Sequence, residues 1–126
     1  MTNIFIKRIY DPWEEKDGYR ILVDRLWPRG VSKEKAKLYG WAKDLAPSHE
    51  LRKRFAHNKE NFDDFRVRYL GELRNNDLIK SEIKQISKLS MVDNVTLLYA
   101  AKNPIYNNAI VLKEELLKNT DDENKE

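Results

Sequence analysis

The chain has no cysteine, which excludes disulfides, zinc-thiolate sites, iron-sulfur clusters and thiol catalysis together. Only two histidines are present and no acidic cluster announces a magnesium site, so neither a metal nor another cofactor is expected. Four glycines and four prolines leave no Gly/Ser linker tract, and no internal repeat is visible. No run approaches the roughly 18 apolar residues that a bilayer span needs, and the start Met-Thr-Asn-Ile-Phe-Ile lacks a basic flank followed by a long apolar stretch. No membrane association is expected, and a soluble cytoplasmic protein is the reading.

What is present is enough for one core. A chain of 126 residues suits a single domain, and 40% hydrophobic against 36% charged residues describes a packed interior inside a highly charged surface. The last eight residues, Asn119 to Glu126, hold four acids and one lysine. Setting them aside raises the formal net charge from +3 to +6. The division expected is one domain over 1–118 and an acidic, unstructured tail over 119–126. A body that basic favours phosphate-bearing partners, although solvated Lys and Glu faces produce similar totals.

Ile4, Phe5, Ile6 and Ile9 predict a first strand, and Asp11-Pro12 with Asp17-Gly18 supplies turns after it. Tyr19 to Val23 is continuously apolar after Arg20, as in a strand covered on both faces of a parallel sheet. Pro28 and Gly30 end it. Residues 38–46 read as a short strand, and Ser48 caps a helix with Leu51 and Phe55 on one face. Phe62, Phe65, Tyr69 and Leu73 mark a second helix, and Ile79, Ile83 and Ile86, after an Asp77 cap, a third. Val95 to Ala100 is a further buried strand, and Ala109, Leu112 and Leu116 mark a closing helix. The order predicts an α/β fold: one compact domain whose mainly parallel central sheet is covered by helices.

Three groups of residues could carry function. Asp24, Arg25 and Arg29 follow the second strand, at the end of the sheet where α/β folds open their ligand crevices. Two guanidinium forks there would grip phosphate or carboxylate oxygens, with Asp24 either orienting one of them, serving as an acid/base, or tying the loop to the sheet. The second group is Ser48, Arg52 and His57: a helix start that favours anions, or a simple cap, and an imidazole able to shuttle protons, or merely to close a helix. Asp44, Ser48 and His57 lack the spacing of a nucleophile triad. The third group, Tyr99, Lys102 and Asn108, lies between the last strand and the last helix; Lys102 would add an ammonium and Asn108 a donor or a cap.

Taken together, Asp17-Gly18-Tyr19-Arg20-Ile21-Leu22-Val23-Asp24-Arg25-Leu26-Trp27-Pro28-Arg29-Gly30, the stretch Trp41 to Arg52 with Phe55 and His57, Phe65-Arg66-Val67-Arg68-Tyr69 with Glu72-Leu73, and Leu97 to Lys102 closely resemble the YeaO-like branch of the domain-of-unknown-function family numbered 488. The resemblance spans nearly the whole chain before the tail. It implies an α/β domain with no established substrate. Other branches of that family look more enzyme-like, with a cysteine near the end of the last strand and a Cys-His-Arg-type sequence opening the final helix. This chain has Ala100, Ala101 and Asn107-Asn108-Ala109 there. That difference puts acid/base work at the final loop in doubt and implies a branch that binds without catalysing, or one that uses a different constellation.

The reading is therefore a non-catalytic or weakly catalytic domain. It would bind a phosphorylated small molecule or a nucleic-acid end through Arg25, Arg29, Ser48, Arg52, Tyr99, Lys102 and Asn108. The alternatives are a nucleotide-processing hydrolase or transferase using Asp24 and His57, and a protein-interaction module.

Overall fold

The computed structural model of the protein describes residues 3–124, with side chains up to residue 121. Four strands, β1 (Ile4–Arg8), β2 (Tyr19–Leu22), β3 (Gly40–Trp41) and β4 (Val95–Tyr99), form one sheet in the order β1-β4-β2-β3. All three pairings are parallel, so the expected α/β architecture is what the chain adopts. The helices are α1 (Lys33–Ala36), α2 (His49–Phe55), α3 (Phe62–Arg74), α4 (Asp77–Leu89) and α5 (Asn108–Asn124).

Alternation along the strands divides the core in two. Ile21, Val23, Val95, Leu97 and Tyr99 face a large cluster completed by apolar positions of α2 to α5, including Phe55, Phe65, Tyr69, Ile83 and Leu112. Leu22 and Leu98 point to the opposite face, where Ile9 and Ala36 cover them with Trp27, Val31 and Leu38. Both central strands, β2 and β4, are thus buried on two sides, which explains why they are apolar except for Arg20 and Thr96, both buried and hydrogen-bonded.

Three expectations need correction, the first being the cap of α4, which is Asn76, accepting from the Leu78 and Ile79 amides, with Asp77 as the first helical residue. The strand predicted over 38–46 shrinks to Gly40 and Trp41, paired with Ile21 and Leu22. Ala42, Leu45 and Ala46 are spaced for a tight helical turn rather than for a strand. The turn Lys43–Leu45 accordingly buries Leu45 and leaves Lys43 and Asp44 exposed. At the other end, α5 continues to Asn124 through the first six residues of the stretch expected to be unstructured, and Thr120 is buried with its hydroxyl bonded to the Leu116 carbonyl. Residues 125–126 lie outside the described residues.

Gly18 joins the turn Glu15–Asp17 to β2 with φ 64° and ψ −127°, a conformation closed to side chains. A Cβ there would sit 2.2 Å from the carbonyl oxygen of Asn94, which itself accepts a hydrogen bond of 2.8 Å from the Tyr19 amide. Gly18→Ala is expected to destabilise the fold by about 2–3 kcal/mol after relaxation, through backbone strain and overlap. Urea unfolding measures this, and a loss under about 1 kcal/mol would contradict the close approach.

No described helix is long and apolar enough to cross a membrane.

Candidate functional site

The chain leaves β2 into an irregular loop at the carboxyl end of the sheet, and bonds from neighbouring segments fix that loop. The Trp41 indole N–H donates to the Asp24 carbonyl at 2.7 Å, and the Trp27 indole to the Val31 carbonyl at 2.6 Å. The two indoles meet edge to face with centroids 5.5 Å apart. Tyr10, which follows β1, donates its hydroxyl to the Arg29 carbonyl at 3.0 Å. Arg8 secures the neighbouring strand end by donating to the carbonyls of Ala100 and Ala101, with its guanidinium over the Tyr10 ring.

Between this loop, α2 and the start of α5 lies a cleft of about 350 Å³. Its polar side chains include Asp24, Arg25, Arg29, Arg52, His57 and Asn108, and its apolar walls include Trp27, Phe55 and Phe65. Six of the nine site residues proposed from the sequence therefore meet in one place, although they come from three separate stretches of chain.

Asp24 sits at the seam between the central strands. One carboxylate oxygen accepts from the Ala100 amide at 2.9 Å and the other from the Asn108 side-chain amide at 3.1 Å. Asn108 also donates to the Val23 carbonyl at 3.1 Å, so the opening of α5 is fastened to the end of β2. Burial raises the Asp24 pKa above the ordinary carboxylate value, while the Ala100 amide, Asn108 and the charges of Arg52 and His57 pull the other way without overcoming it.

The arginines are in a different situation. Arg25 donates through one terminal nitrogen to the Ala46 carbonyl at 3.3 Å, yet its Nε is buried and meets no acceptor among the described residues. Nε of Arg52 is likewise buried and unpartnered. Arg29 is exposed at the mouth. None of the three pairs with a carboxylate within 4 Å among the described residues, whereas Arg20, Arg54, Arg66, Arg68 and Arg74 all do. The triad faces one acid, Asp24.

His57 reaches the cleft because α2 ends on two successive residues with left-handed backbone, Ala56 at φ 49° and His57 at φ 55°. Such conformations are costly without glycine and recur where side-chain direction matters. The imidazole lies against Phe55, with centroids 5.9 Å apart.

Three proposed residues stay outside the cleft, each for a local reason. Ser48 caps α2 by accepting from the Leu51 amide, and its hydroxyl and amide both donate to Glu72, which fastens α2 to α3. Tyr99 falls on the helix-covered face of β4 with 3% of its surface exposed. Lys102 is turned to solvent where an Asn103 turn bends the chain, the Asn103 side chain accepting from the amides of Ile105 and Tyr106. The ammonium expected at the rim is therefore missing, and Arg52 from α2 is the third cation.

Sequence reasoning missed the bracing by Tyr10, Trp27 and Trp41, and a buried ion pair between Asp17 and Arg20 on the far side of the sheet. An arginine inside an apolar strand with an aspartate three residues earlier was the available signal for that pair. Among the described residues, no three His, Asp or Glu side chains gather where they could hold a metal ion.

Residues 3–126 match a family model, DUF488-N3i, described as the inactive DUF488-N3 subclade. The chain is 46% identical over 114 residues to the uncharacterized protein YeaO of Escherichia coli (strain K12), covering 90% of this chain and 96% of that one. It is 36% identical over 115 residues to the uncharacterized proteins Mb3100c of Mycobacterium bovis and Rv3073c of Mycobacterium tuberculosis, covering 91% of this chain and 94% of each of those. No solved structure matches.

Proposed function

The chain belongs to the DUF488 family, as a YeaO-like member, and from that premise we propose that it is a binding domain for a phosphate-bearing ligand, a nucleotide or a nucleic-acid end, rather than an enzyme. The observation that carries the reading is the meeting of Arg25, Arg29 and Arg52 around one cleft without carboxylate partners among the described residues. Guanidinium groups are ordinarily neutralised by acids when they are drawn together; three left unpaired raise the local concentration of anions and present donors to them. The apolar walls suit the organic part of such a ligand. A ligand of that class is met in the cytoplasm, which is where the proposal sets the protein to work.

Two features argue for binding over turnover. The family model's own description is of an inactive subclade. Both oxygens of Asp24 already accept hydrogen bonds that hold β2, β4 and α5 together, a fastening role that competes with proton transfer. The raised pKa of Asp24 beside His57 favours the opposite reading, a hydrolase or transferase, and substitution of Asp24 separates the two.

In the binding reading Asp24 fastens the strand ends, and its negative charge repels the guest. Asp24→Asn is expected to tighten inorganic phosphate binding at pH 7 by about fivefold to tenfold, or roughly 1 kcal/mol, the size of one unit-charge interaction across about 4 Å in a water-filled cleft. Isothermal titration calorimetry reads the affinity directly. Weaker binding of inorganic phosphate by the folded variant would overturn this role for Asp24. Turnover of a nucleotide or phosphoester panel by the native protein, abolished by the same substitution, would establish the enzyme reading instead.

A further inference from the structure

We propose that the cleft selects a terminal phosphate monoester attached to a planar ring, and discriminates against an internal phosphodiester; this rests on the reading of the cleft as an anion site. The two buried Nε donors carry the inference. A guanidinium presents its Nε–H and one terminal N–H side by side along one edge, spaced to meet two oxygens on the same phosphorus atom. Arg25 and Arg52 both have this edge incomplete, with Nε buried and unpartnered, although a buried donor without an acceptor is costly. Both guanidinium groups line the same cleft, with Arg29 at its mouth as a third fork, so a guest with several free oxygens on one centre would meet more than one of them.

An internal phosphodiester brings two free oxygens and one negative charge. A terminal monoester brings three free oxygens and a charge of about −1.5 to −2 at neutral pH. Only the monoester approaches the donors and the positive charge of three arginines set against one carboxylate. Beside His57, Asn107 and Asn108 the lining carries aromatic walls, Trp27 and Phe55 among them, and Trp27 is locked by its bond to Val31 and its contact with Trp41. At about 350 Å³ the cleft is near the lower end of small-ligand sites, which suits one phosphate and one ring system rather than a length of strand. A free nucleotide and the phosphorylated end of a nucleic acid share this chemistry.

The experiment compares phenyl phosphate with methyl phenyl phosphate by isothermal titration calorimetry at pH 7.5, on the native protein and on Arg25→Lys and Arg52→Lys. Each variant retains a positive charge but loses the planar fork. The monoester is expected to bind at least about tenfold more tightly than the diester, and either lysine variant, folded by circular dichroism, to narrow that ratio to about threefold, since each fork contributes charge-assisted hydrogen bonds. If a variant does not fold, the native ratio decides. Equal affinity for the two probes overturns the monoester preference and leaves the anion cleft standing. No binding of either probe or of inorganic phosphate overturns both. Adenosine 5′-monophosphate and a 5′-phosphorylated tetranucleotide, compared in the same assay, then distinguish a free nucleotide from a strand end by which binds more tightly.

Discussion

Asp17→Ala is expected to lower the unfolding free energy by about 3–5 kcal/mol at pH 7, because it strands a charge inside the protein. Asp17 is 5% exposed and Arg20 1%, and the two form an ion pair. The carboxylate also accepts from the Glu14 amide at 3.0 Å and from Nζ of Lys7 at 3.2 Å, while Nε of Arg20 donates to the Ala36 carbonyl at 3.0 Å. This network anchors the turn before β2, the strand itself and α1 to each other. Alanine removes the acceptor and leaves the guanidinium desolvated.

A pH dependence distinguishes this cause from simple loss of packing. Burial alone would raise the Asp17 pKa, but the Glu14 amide, Lys7 and Arg20 together hold it below the ordinary aspartate value of 3.8. A carboxyl whose folded pKa lies below its unfolded pKa stabilises the fold above the unfolded value, and the contribution fades as pH falls through the folded value. The gap between native protein and variant in urea unfolding should therefore be full at pH 7 and shrink below about pH 3.8. A double variant, Asp17→Ala with Arg20→Met, should recover part of the loss, since replacing both partners leaves no charge unpaired. A loss under about 1 kcal/mol, or one that is the same at every pH, would contradict the assignment.

The second large effect falls on binding rather than stability. Arg25→Ala combined with Arg52→Ala is expected to weaken phenyl phosphate binding by at least about 100-fold, as each arginine contributes about 1.5–3 kcal/mol through charged hydrogen bonds. Thermal stability should change far less, because both substitutions delete buried donors that lack partners, and the one bond given up is that of Arg25 to Ala46. Arg68→Ala is the matched control. Its guanidinium lies on the outer surface, paired with Asp64, and removing it should leave affinity within about twofold. Calorimetry on the three proteins decides the matter; equal weakening by the control would mean that general positive charge, not this cleft, attracts the ligand.

How much of this was visible in the amino-acid order depends on distance along the chain. Asp24, Arg25 and Arg29 follow the apolar run Ile21 to Val23, and Pro28 bars the strand from resuming, so their place at the carboxyl end of a buried strand followed from local pattern. Arg52 and His57 needed more. Leu51 and Phe55 fix the buried side of α2, but whether Arg52 on its flank faces solvent or β2 depends on how α2 packs, which no periodicity states. Tyr99 failed for another reason. In a strand covered on both sides every position is buried, so the polar alternation that would have assigned Tyr99 to the helix-covered face is hidden. Lys102 was judged from its nearness to the strand end, whereas the Asn103 turn sends the chain outward before α5 begins. The short β3 shows the same limit: its two residues are selected by pairing to β2, and the residues after it obey a turn spacing that resembles a strand only in composition.

The most direct test is a crystal soaked in sodium tungstate, a tetrahedral dianion whose anomalous scattering locates it without ambiguity. The account predicts a peak inside the cleft, within hydrogen-bonding distance of Nε of Arg25 and Nε of Arg52. An empty cleft, with tungstate bound only at other basic surfaces of the same molecule, would contradict it.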